Sequence, residues 1–159
     1  MRLVEILTAD RVLVASGLGS KRDALDAVSR LLAQGVADQG PTYERVRSVL
    51  EERELLQSTG IGDGVAIPHG FLGELTSQTA ALLVVPEGVG FDSIDAKPAR
   101  IIIGVVGPKR GMHVQVEHLR ILARISKVLR EPQLRDRIVA SSSSADVFAK
   151  VVDADARTP

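Results

Sequence analysis

No cysteine occurs among the 159 residues, which excludes disulfides, thiolate catalysis and cysteine-ligated zinc or iron–sulfur centres. Tryptophan is also missing, and aromatics total only 3%, too few for a base-stacking surface. Charge of one sign is lacking as well. Twenty basic and twenty acidic residues cancel, so no basic field draws in nucleic acid. The longest apolar runs, Ala80–Val85 and Ile101–Val106, are too short to cross a bilayer. Glu5 sits where a signal peptide needs apolar residues, so a cytoplasmic protein without membrane insertion is expected.

What remains is an ordinary globular balance, 45% apolar and 25% charged, over a length that suits one domain. That domain is expected to span residues 1–152, with a frayed tail at 153–159. Val12–Ala15 reads as a first strand. Ser20 is a candidate N-cap for a helix carrying Ala24, Leu25, Val28, Leu31 and Leu32, which ends at Gly35. Pro41-Thr42 opens a second helix, with Val46, Val49 and Leu50 on one face, running to Arg53-Glu54. Thr79–Val85, closed by Pro86, and Arg100–Val106 read as strands. Their runs Ala80–Val85 and Ile101–Val106 are continuously apolar rather than alternating, the mark of a sheet covered on both faces.

Between these two strands Phe91 and Ile94 are the expected apolar anchors of a turn-rich segment. A helix over about His113–Arg130 should bury Leu119, Leu122, Ile125, Ser126 and Leu129. Pro132 suits the first turn of the next helix. Ala145–Val152 completes the set. The order predicts a single α/β domain, a mixed β-sheet flanked by helices on both faces.

One stretch stands apart: Ser58-Thr59-Gly60-Ile61-Gly62-Asp63-Gly64-Val65-Ala66-Ile67-Pro68-His69-Gly70. Three glycines in five positions predict a loop whose amides and hydroxyls can line an anion pocket, with Ser58, Thr59 and Gly60 the candidates. Asp63 is most simply a turn residue. Val65–Ile67 is a short buried strand, and Pro68 ends its hydrogen-bonding run. His69 then lies at a stiff strand end beside the loop, a good place for a nucleophile. Phe71 and Leu72 would form an apolar rim. A metal reading of the histidines fails on spacing, because His113 and His118 lie five apart, roughly 140° around a helix.

The run from Glu54 through I-G-D-G-V-A-I-P-H-G resembles the active-site signature of fructose/mannitol-type IIA proteins of the bacterial phosphotransferase system. The nitrogen-regulatory IIA proteins are a branch of that family. The resemblance covers about Leu13 to Val152 and implies the same layered α/β architecture. It implies that His69 accepts a phosphoryl group, through Nε2, from an HPr-like phosphocarrier, without metal or organic cofactor. Arg53 of the Arg53-Glu54 pair becomes the phosphate clamp. His118, opening His118-Leu119-x-x-Leu122-Ala123, becomes the assisting histidine ahead of His113.

Two outputs follow from the resemblance. One is a regulator whose phosphorylation state controls binding to target proteins, which the free-standing length favours. The other is a sugar-specific component passing phosphate to a IIB domain of a transporter. Self-association into a homo-oligomer is left open.

Overall fold

The computed structural model describes residues 1–159. Its sheet has six strands. These are β1 (Val12–Val14), β2 (Gly60–Gly62), β3 (Val65–Ala66), β4 (His69–Leu72), β5 (Thr79–Val89) and β6 (Ala99–Pro108). The order is β1-β5-β6-β3-β2, with β4 also on β6. β1 runs parallel to β5 and β6 antiparallel to it. β3 and β4 both run parallel to β6 without a change of register: Ala66 faces Ile102 and His69 faces Val105. They are one strand interrupted at Ile67-Pro68, where proline offers no N–H for the ladder.

Alternate residues of β5 and β6 feed two cores. Leu82, Val84, Ile101, Ile103 and Val105 point toward α3 (Met112–Val128), α4 (Pro132–Val139) and α5 (Ser144–Arg157). Leu83, Val85, Ile102 and Val106 point toward α1 (Lys21–Val36) and α2 (Tyr43–Leu56). The continuous apolar runs therefore mark a sheet covered on both faces, as their patterning predicts. Ser20, Thr42 and Ser143 each cap a helix by accepting a backbone N–H three residues on.

Several expectations need correction. The glycine stretch is a hairpin, not an open loop: β2 pairs antiparallel with β3 around Asp63-Gly64. Both turn residues have positive φ, 57° and 78°, as an Asp-Gly type I′ connection requires. β5 does not stop at Pro86 but reaches Val89, the proline falling where the register shifts and no ladder bond is lost. Phe91 is buried, but Ile94 is 87% exposed.

On α3 the buried face is rotated: His118, Ile121, Ile125 and Val128 turn inward, and Leu119 is 65% exposed. Leu72 belongs to the core. The tail expected to fray from Asp153 is helical to Arg157. It is held because buried Asp155 accepts from Leu3 N at 2.7 Å and pairs with Arg124 Nε at 2.6 Å. No helix is long and apolar enough to cross a membrane.

Candidate active site

His69 opens β4 directly after the interruption, so its backbone is fixed between Pro68 and the pairing with β6. Its Nδ1 lies 2.6 Å from the Ile67 carbonyl oxygen. A carbonyl only accepts, so Nδ1 carries the proton and Nε2 keeps its lone pair. The ring is partly exposed and borders a depression of about 580 Å³, whose rim includes Arg45, Arg53, Phe71 and Lys109.

Burial pushes the His69 pKa below its usual value. The Ile67 hydrogen bond opposes that shift, the Arg53 charge adds to it, and Glu54 opposes it more weakly. A neutral ring with one free nitrogen is a nucleophile at physiological pH.

Arg53 comes from the last turn of α2. One arm of its guanidinium donates to the Gln57 carbonyl at 2.8 Å; the residue forms no ion pair and lines the depression. Its neighbour Glu54 is buried. Glu54 accepts from Thr59 N at 2.9 Å and Thr59 Oγ1 at 2.6 Å, and pairs with Lys21 at 2.8 Å. This network pins the end of α2 to the start of the hairpin and so fixes where Arg53 emerges.

His118 approaches from the opposite layer. Its ring centroid is 5.6 Å from that of His69 and 4.5 Å from that of Phe71. Nδ1 lies 2.9 Å from Gln78 Oε1. Burial, with His69 as a lesser cause, lowers its pKa to about 4, so it is neutral at pH 7.

The structure thus brings His69, Arg53 and His118 together, and leaves the other candidates aside. Ser58 Oγ donates to the Phe91 carbonyl at 2.5 Å, the Thr59 hydroxyl is spent on Glu54, and Gly60 backs onto Ser93. His113 borders a separate groove with Met1, Arg2 and Glu117. No cluster of side chains suited to a metal ion is present. Gln78 and Lys109 were not legible beforehand, since neither lies in the signature and each reaches the site only through strand pairing.

A mixed sheet between two helical layers is the architecture that this chain shares with solved phosphotransferase-system IIA proteins. The family described as phosphoenolpyruvate-dependent sugar phosphotransferase system, EIIA 2, matches residues 5–153, and the chain belongs to it.

Among its relatives, a nitrogen regulatory protein of Pseudomonas aeruginosa is 33% identical over 155 residues, covering 96% of each chain. The crystal structure of nitrogen regulatory protein IIA-Ntr from Neisseria meningitidis superposes with a TM-score of 0.82 at 31% identity, over 94% of this chain and 98% of that one. A mannitol-specific phosphotransferase enzyme IIA component of Staphylococcus aureus is 28% identical, over 96% of this chain and 99% of its own.

Proposed function

We propose that this protein is a cytoplasmic phosphocarrier that accepts a phosphoryl group on His69 Nε2 from an HPr-like phosphohistidine protein. The observation that carries the reading is the 2.6 Å contact from His69 Nδ1 to the Ile67 carbonyl, which leaves Nε2 free beside Arg53. In the transfer, the Nε2 lone pair forms the new N–P bond as the donor's N–P bond breaks. The electron pair of that broken bond stays on the donor's ring nitrogen. Nδ1 keeps its proton throughout, so no base is needed, and the Ile67 oxygen stabilises the positive charge that develops on the phosphorylated ring. Arg53 faces the phosphoryl oxygens with a charged planar fork. Phosphoryl transfer asks a protein mainly for such positioning and charge stabilisation.

The output is regulatory in this reading: the phosphorylation state of His69 sets affinity for target proteins. The nitrogen regulatory names borne by relatives at 33% and 31% identity support it. The mannitol-specific relative at 28% identity supports the second reading, in which the phosphoryl group passes to a IIB domain of a transporter. Incubation with a phosphorylated HPr-like donor tests the common step. An acid-labile, alkali-stable mass increment mapping to His69 is expected, and a label on His113 or His118 instead would overturn the assignment. Affinity capture with both forms then separates the outputs: recovery of a IIB component and the donor alone leaves only the transporter reading.

A further inference from the structure

Gln78 and His118 form a buried pair in which each partner retains one polar atom without a hydrogen bond. Gln78 Oε1 sits 2.9 Å from His118 Nδ1, while Gln78 Nε2 and His118 Nε2 are both buried and unpartnered. The amide is seated tightly: any Cβ at Gly107 would overlap its oxygen, carbon and nitrogen. An amide oxygen only accepts, so in this arrangement His118 carries its proton on Nδ1 and shows a bare nitrogen at Nε2. A half-turn of the same amide would present its NH2 group to Nδ1. The proton of His118 would then reside on Nε2, and the ring would become a donor at its far edge.

Resting on the reading of His69 as phospho-acceptor, we infer that Gln78 is the positioning residue that sets the tautomer of His118, Nδ1–H before phosphorylation and Nε2–H after it. The ring centroids of His69 and His118 are 5.6 Å apart, so a phosphoryl group carried by His69 comes within reach of the His118 ring. Its oxygens are acceptors. They are repelled by a bare Nε2 and bound by an Nε2–H, so the phosphoryl group favours the reversed amide. The proton count is unchanged: one proton leaves Nδ1 to solvent, one arrives at Nε2, and His118 stays neutral. His118 thereby supplies a hydrogen bond to the phosphorylated state alone, and leaves the free imidazole of His69 without a competing donor.

Imidazole 15N spectroscopy on the labelled full chain reads the tautomer directly. In the wild type, His118 is expected as Nδ1–H before treatment with phosphorylated HPr-like donor and as Nε2–H afterwards. Gln78→Leu removes the partner at Nδ1, and the Nε2–H pattern is expected in both states. An Nε2–H pattern in the untreated wild type overturns the inference without any donor. So does an unchanged pattern after His69 is labelled, or a leucine variant that switches as the wild type does. Should the leucine variant fail to fold, the two wild-type spectra decide by themselves. Absence of label on His69 removes the reading on which this rests, whereas label on His69 with an unchanged His118 removes this inference alone.

Discussion

At the scale of single residues, the site is a question of which nitrogen holds a proton. His69 is fixed by one hydrogen bond and His118 by another, and both rings are held neutral by burial. His69→Ala should abolish phosphoryl uptake, measured as the mass increment. Arg53→Ala should slow uptake on the order of 10²-fold, the usual cost of losing one stabilising contact to developing charge. Arg53→Lys should lose less, because it keeps the charge but not the planar fork. Equal rates in wild type and Arg53→Ala, measured by quenched-flow labelling of folded protein, would remove Arg53 from the site.

His118 also makes stability depend on pH. The folded protein keeps it neutral down to about pH 4, while an unfolded histidine takes up its proton near 6.5. Between those values the unfolded chain binds more protons, so stability rises with pH and falls as acid is added. The loss from about pH 6.5 to about pH 4 is on the order of 3 kcal/mol. Urea midpoints should therefore decline across that window, and decline less in His118→Gln. Parallel curves for the two proteins would show that another group is responsible. His69 shifts in the same direction, so its uptake of phosphate should fall with acid only at a pH below that of an ordinary histidine.

At the scale of elements, the signature works as a hairpin that delivers His69 onto β6 in fixed register. Asp63-Gly64 makes the turn, Glu54 ties α2 to the start of the hairpin, and Pro68 interrupts the strand directly before His69. α5 is secured as firmly. Asp155 lies 1% exposed between Arg124 and the Leu3 amide, joining both ends of the chain to α3. Asp155→Ala leaves the Arg124 charge and a buried N–H unpaired, at a cost of about 3 kcal/mol. Chemical denaturation should register this as a lower midpoint with an unchanged slope. A change below about 0.5 kcal/mol, within the range of a plain surface substitution, would mean that α5 is held by its apolar face alone.

At the scale of the whole molecule, net charge is zero, so a phosphoryl group adding close to two negative charges is a large perturbation at one spot. Leu55 and Leu56 are 81% and 83% exposed on the rim of the His69 depression, with Phe71 half-buried beside them. A partner seated there must desolvate or pair that charge. A coupling of about 1–3 kcal/mol is enough to exchange partners between the two states. Phosphorylated and unphosphorylated protein are expected to capture different proteins from source-cell lysate, and Phe71→Ala to weaken that capture more than it lowers the thermal midpoint. Identical captures would count against a regulatory output.

The order of the main helices and strands and the two-sided sheet were determined by local sequence, which also put His69 forward as a candidate. Their signals are caps, β-branched runs and an ordered motif, and each acts within a few residues. The hairpin was hidden because glycine permits a loop and a tight turn alike, and only pairing of β2 with β3 selects the turn. The rotation of α3 was hidden for a similar reason. Leu119 and His118 are adjacent, and hydrophobicity alone buries the leucine, whereas contact with Gln78, forty residues away in the chain, turns the histidine inward. Likewise the last residues look polar enough to fray until Arg124 and Leu3 are placed around Asp155. Sequence set what each segment prefers; the tertiary structure decided every choice whose energy came from a partner distant in the chain.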